Sequence, residues 1–267
     1  MNPEASFRFS HTLARKPGKS VAQGIRDGAG PDPDPAAFDR EHDAYVAALR
    51  EAGTAVTVLD PLEDFPDSFF VEDPALCVAG AAIILRPGAE ARFGERDPMR
   101  DALSKIFTTV IDLPEGGFVD GGDILVTGKE VLIGLSARTD RAGVEQLRRI
   151  LADRAVPLRI VQTPPEILHF KTGCGLLDAE TIFATEPLVR SGCLDGYRIV
   201  ECPEGEEPAA NLIRVNDRVF LARGFPRTAD LLRSQGYLVT ELSVAEAGKL
   251  DGGLSCMSLR FTPDADI

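Results

Sequence analysis

Histidine is scarce, with three residues in 267, so the side chains able to move a proton near neutral pH reduce to His11, His42 and His169. No apolar run approaches the roughly 18 to 20 residues that cross a bilayer. The segment MNPEASFRFSHTLARKPGKS also lacks the apolar core of a secretion signal, so no membrane partner and a cytoplasmic location are expected. Cys77, Cys174, Cys193, Cys202 and Cys256 are odd in number and form no CxxC pair. That pattern argues against a disulfide framework and a standard zinc site, and most of the five should be small buried groups. Positive charge is in deficit: 29 Lys and Arg face 42 Asp and Glu, a net −13. Such a surface repels nucleic-acid phosphates and leaves cationic small molecules as natural partners, although acidity also simply serves solubility. Long linkers are missing, and only GAGPDPDP at 28–35 reads as a surface loop. With 44% hydrophobic residues the chain can bury a core, and one domain over 1–267 is expected.

What is present is a loose repeat. The segments LCVAGAAIIL, ILVTGKEVLIGL, CGLLDAETIFATE and LIRVNDRVFLARG each read as two short strands about a turn. Their turn centres, Ala79, Lys129, Ala179 and Asn216, lie 50, 50 and 37 residues apart. After most of them comes a helical stretch (97–106, 141–151, 227–234) and one more strand, giving a strand, strand, helix, strand unit. A surface helix over 38–50, ended by Gly53 in a left-handed cap, precedes strand 55–59. A strand within 254–261 that paired with 7–13 would complete a fifth unit and close a ring without free sheet edges. Alternation of elements alone favours an ordinary open α/β sheet.

Several constellations carry candidate chemistry. His42 lies in a charged helix and reads as a surface residue, and His11 in an extended segment reads as structural. His169 opens HFKTGCG at a strand edge, where a side chain can face a central cavity, though a lone histidine is more often structural. Cys256 follows the paired glycines of KLDGGLSCMSLRF. A thiol emerging from such a turn can meet a substrate if nearby positive charge favours the thiolate. The plainer alternative is a buried strand cysteine. In FPDSFFVED, Asp67, Glu72 and Asp73 interrupt an apolar run, which is costly unless the carboxylates are paired or face a cavity. A guanidinium, planar and permanently charged, would suit them, and an acidic surface loop is the rival. FVDGGDILVTG places Asp120 and Asp123 beside glycines, as turn residues or with one of them orienting His169.

In order along the chain, PDSFFVED, RPGAEAR, FVDGGDILVTG, GLSART, LHFKTGC and LDGGLSC resemble the motifs of the dimethylarginine dimethylaminohydrolase family over about residues 7–261. The resemblance implies a five-fold pseudosymmetric α/β propeller (a pentein) around a central active site, in a single catalytic domain. It implies Cys256 as nucleophile, His169 as acid and base, and Asp120 as the carboxylate that orients the histidine. Asp67, Glu72 and Asp73 match the acids around the substrate guanidinium. Arg92 and Arg138 match residues holding its amino-acid end, with backbone near Ile25 and Leu250. The implied reaction is hydrolysis of methylated arginine to citrulline and an alkylamine through a covalent thiouronium. No cofactor, catalytic metal or nucleic-acid partner is expected, and a homodimer is left open. An arginine deiminase, or a guanidino-compound binder without catalysis, are the alternatives.

Overall fold

The structure, a computed structural model, describes residues 3–26, 28 and 30–263. Ala29 of the expected loop, and residues 1–2, 27 and 264–267 of the expected domain, lie outside the described residues.

Five small units follow one another. The first contains β1 (His11–Arg15), helix α1 (Pro35–Glu51) and β2 (Ala55–Leu59). The second contains β3 (Ala75–Val78), β4 (Ala81–Ile84), α2 (Arg96–Leu103) and β5 (Val110–Asp112). The third is β6 (Ile124–Val126), β7 (Val131–Leu135), α3 (Arg141–Ala152) and β8 (Leu158–Gln162). The fourth is β9 (Cys174–Asp178), β10 (Thr181–Ala184), α4 (Glu186–Arg190) and β11 (Arg198–Glu201). The fifth is β12 (Ile213–Val215), β13 (Arg218–Ala222), α5 (Pro226–Ser234) and β14 (Leu238–Leu242). After the short helix α6 (Ala245–Gly248), β15 (Leu259–Phe261) returns to the first unit.

In units two to five the first two strands pair antiparallel and the helix carries the chain to a third strand parallel to the second. The first hairpin turns through Ala79 and Gly80, both at positive φ (51° and 67°), the geometry whose twist matches paired strands. In the first unit the same order is made from distant segments: β15 lies antiparallel to β1, with His11 opposite Phe261, and β2 lies parallel to it. The expected closing strand pair is therefore present.

Five apolar clusters show why the arrangement is a ring rather than an open sheet, because each joins two neighbouring units. Leu13 and Phe261 meet Ile84 and Met99; Ile83 and Leu85 meet Ile133 and Leu147. Leu132 and Val161 meet Leu176 and Ile182; Leu177 and Phe183 meet Leu221 and Leu232. Val215 and Phe220 meet Phe38 and Tyr45 of α1, which returns to the start. Each fully buried leucine or phenylalanine contributes about 1.5–3 kcal/mol to this closure.

Helix α1 starts where Asp34 caps it, accepting from the Ala37 N–H at 2.7 Å with Pro35 in the first turn, and it ends before Gly53 at φ 92°. His42, expected at the surface, is 1% exposed. It occupies the slot four residues after Phe38 on the face that also carries Tyr45 and Leu49, so the apolar stripe runs through it. His11 stacks on Phe261, as a structural residue would. The 37-residue spacing of the last two turns coincides with a helix, α4, of only five residues, too short for the periodicity to reveal. No helix among the described residues is long and apolar enough to cross a membrane.

Candidate active site

The ring places equivalent residues of successive units around its axis. Asp73 precedes β3, Asp120 precedes β6, His169 precedes β9, Asn211 precedes β12 and Cys256 precedes β15, each by a few residues. Backbone just outside a strand can turn inward, and glycines let it approach closely. A Cβ on Gly122 would lie 2.9 Å from His169 Cγ, and one on Gly253 would lie 2.5 Å from Asn211 Cγ.

Ile25, Asp67, Asp73, Arg92, Asp120, Arg138, His169, Leu250 and Cys256 line one solvent-open cleft of about 490 Å³, together with Phe70, Leu168 and Gly252. Glu72 is the one residue of the expected set that does not line it. Its Oε1 accepts from Lys171 Nζ at 2.5 Å and Arg260 Nη2 at 2.8 Å, and the side chain borders a second cavity behind the cleft.

Asp120 Oδ2 sits 3.1 Å from His169 Nε2, while its Oδ1 accepts from the Gly88 N–H at 2.6 Å and its own N–H donates to Thr139 Oγ1. Between the two acids of DGGD, the histidine partner is thus Asp120. Asp123 instead accepts from Ser136 Oγ at 2.6 Å and the Phe170 N–H at 2.8 Å, fixing the backbone beside His169. Burial opposes charge on His169, yet the Asp120 hydrogen bond and the fields of Asp73 and Asp123 outweigh it and raise its pKa to about 9. The imidazole is therefore a cation at neutral pH, with Nδ1 left for proton exchange.

Asp73 pairs with Arg92 and accepts from the Gly122 N–H at 3.0 Å. Burial works against its charge, but Arg92 prevails and holds its pKa below the usual carboxylate value. Arg92 is itself packed with acceptors: Glu95 takes Nε at 2.8 Å and Nη2 at 2.7 Å, and the Phe70 and Asp67 carbonyls share Nη2. Asp67 accepts from the Ile25 N–H at 3.1 Å with both oxygens, and burial raises its pKa. Asp73, Asp120 and His169 approach within 4.8 Å of one another, close enough to share a cation. Their facing atoms are already used on Arg92, backbone N–H groups and each other, a donor set that suits proton handling better than metal binding.

Cys256 is half-buried, and burial, with Glu72 and Asp73 adding, pushes its thiol up to about 11. The resting pair is a thiol and an imidazolium. A cation bound in the cleft would favour the thiolate. Sequence reasoning missed Asn211, whose Oδ1 accepts from the Ser255 N–H at 2.9 Å and whose Nδ2 lies 4.0 Å from Cys256 Sγ. Its equivalence to Asp73, Asp120 and His169 in the repeat was the available signal. Among the other cysteines, Cys174 and Cys202 are buried, and all five are free thiols.

A family model described as N,N dimethylarginine dimethylhydrolase, eukaryotic, matches residues 36–176. An N(G),N(G)-dimethylarginine dimethylaminohydrolase of Pseudomonas aeruginosa is 39% identical over 95% of this chain and 100% of its own length. One of Streptomyces coelicolor is 34% identical over 82% of this chain and 84% of its own. The solved structure of the Pseudomonas aeruginosa protein, a cysteine-to-serine mutant complexed with citrulline, matches with a TM-score of 0.92 over 96% of this chain and 100% of that one. The N-terminal domain of ArgZ, a cyanobacterial arginine dihydrolase, is 18% identical with a TM-score of 0.83 over 94% of this chain and 96% of its own, and shares the fold. The fold is that α/β propeller, and the chain belongs to the dimethylarginine dimethylaminohydrolase family.

Proposed function

We propose that this chain is a cysteine hydrolase, one catalytic domain working without cofactor or metal, that converts Nω-methylated arginines to citrulline and dimethylamine or methylamine. The observation that carries the reading is the convergence of Cys256, the His169–Asp120 pair and the acids Asp67 and Asp73 on one cleft. The citrulline complex of the Pseudomonas aeruginosa relative supports it.

The methylated guanidinium binds beside Asp67 and Asp73, and its charge weakens the hold of Cys256 on its proton, which passes to solvent through the open cleft and leaves the thiolate. Glu72 acts on the same charge from beneath, without lining the cleft. Arg138 receives the substrate carboxylate, and Arg92, with most donors spent on protein acceptors, adds a smaller share; backbone at Ile25 and Leu250 completes the amino-acid end. Sγ then bonds to the guanidinium carbon. His169 gives its proton to the alkylated nitrogen, the C–N bond breaks, and the amine leaves a thiouronium on Cys256. The neutral imidazole, held by Asp120, takes a proton from water as the oxygen attacks. The C–S bond breaks, citrulline departs and the thiolate is restored.

The test is citrulline formation from asymmetric dimethylarginine, monomethylarginine and arginine, on wild type and Cys256→Ser, with mass spectrometry of acid-quenched mixtures. Turnover of the methylated substrates, a wild-type adduct and loss of both in the variant are expected. Dominant turnover of arginine would move the chain to the deiminases, and no adduct would leave a binder.

A further inference from the structure

Behind the cleft lies a second cavity, bordered by Glu72, Cys77, Lys171, Arg214, Ser255 and Arg260 among others. Neighbouring residues of the axial segments divide between the two spaces. Asp73, Asp120, His169 and Cys256 face the cleft, while Glu72, Gly121, Lys171 and Ser255 border the rear cavity. The floor under the nucleophile is therefore about one residue thick, and what stands behind it acts on the sulfur at short range.

Arg260, on β15, is central there. Its Nη1 donates to the Ser255 carbonyl at 3.1 Å, the Ser258 carbonyl at 2.6 Å and Ser258 Oγ at 2.7 Å, the groups that flank Cys256. Its Nη2 donates to Glu72 Oε1, and the Glu72 N–H donates to the Cys256 carbonyl at 3.2 Å. Tyr45 reinforces the same turn, its hydroxyl meeting the Leu254 carbonyl at 2.8 Å and Ser258 Oγ at 2.6 Å. One guanidinium so ties both sides of the nucleophile to the segment that carries Glu72 and Asp73. With Lys171 it also sets two cations against the single Glu72 carboxylate.

Resting on the reading of Cys256 as the nucleophile, we propose that Arg260 is a positioning residue: from the rear of the ring it clamps the turn that carries Cys256 and, with Lys171, offsets the Glu72 carboxylate beneath the sulfur. The fork explains why the residue is an arginine. Nη1 holds the turn while Nη2 reaches Glu72, and a single lysine ammonium would keep the charge but could not span both.

The test reads the thiol itself as well as turnover. Iodoacetamide labelling of Cys256 in the substrate-free enzyme at pH 8, resolved by peptide mass spectrometry, reports the thiolate fraction. Lys171→Met should slow it by about threefold or more, and Glu72→Gln should speed it by about threefold or more. Arg260→Lys should label within twofold of wild type yet lose about tenfold or more in kcat with little change in KM. Lys171→Met and Glu72→Gln rates that move together, or stay within twofold of wild type, would overturn the charge role whether or not the arginine variant folds. Wild-type kcat in a folded Arg260→Lys would overturn the clamp. A wild-type enzyme that makes no citrulline would defeat the functional reading instead, and the labelling pattern would still decide the charge beneath Cys256.

Discussion

Replacing Asp120 by asparagine tests the catalytic core most sharply. The new Oδ1 can still accept from the Gly88 N–H, now at 2.6 Å, so the loop should stay in place. The amide NH₂ then stands where Oδ2 does, 3.1 Å from His169 Nε2. Two donors cannot face each other, so Nε2 gives up its proton and the ring becomes neutral with its hydrogen on Nδ1. His169 titrates at about 9 against an ordinary 6.5, a difference of about 2.5 pH units, or on the order of 3 kcal/mol at about 1.36 per unit. Asp73 and Asp123 remain, so not all of the shift disappears, but at least about one unit should be lost. The altered tautomer should cost about 10²- to 10⁴-fold in kcat. In a kcat/KM profile from about pH 5.5 to 10.5, which reports the free enzyme, the wild-type alkaline limb should fall near 9 and that of the variant at least about one unit lower. An unmoved limb with kcat within about threefold of wild type would refute the assignment of Asp120 to His169.

Two further outcomes follow from the same geometry. Gly122→Ala would bring a methyl to 2.9 Å from His169 Cγ and 3.1 Å from Asp73 Oδ1. It should fold but lose about ten- to a hundredfold in kcat, and full activity would mean the imidazole is not tightly seated. Because the folded-state pKa of His169 is raised, its contribution to stability is complete below about 6.5 and is lost as pH rises through about 9. Thermal melts of wild type should fall towards those of His169→Gln over that window, and parallel curves would count against a charged His169.

The axial residues were legible because they sit in glycine-bearing turns before strands: Asp120 in DGGD, Cys256 after GG, His169 at the edge of β9. Four hairpins and two leftover strands made ring closure possible, but alternation alone favoured an open sheet, and it was the family resemblance that raised the ring over it. Asn211 was not, because a lone amide in an apolar stretch carries no signal until the repeat is superposed on the ring. Nor was the rearward turn of Glu72 or the role of Arg260. At the axis, one step along the backbone exchanges the cleft for the rear cavity, and Glu72 differs from Asp73 only in that step. The burial of His42 was hidden by its polarity, which masked its place on the α1 stripe.

The pairing of β1 with β15 has a consequence for biosynthesis. Cys256 lies three residues before the strand that seals the ring, and its turn is held by Tyr45 from the first unit and by Arg260 on the sealing strand itself. A chain emerging from the ribosome can form four units and the whole acidic cleft while its sulfur is still unplaced. On the proposed reading of Cys256 as the nucleophile, reactivity would switch on only as the latch engages, a partly made or partly opened molecule would hold an idle thiol, and activity would gauge whether the ring is shut.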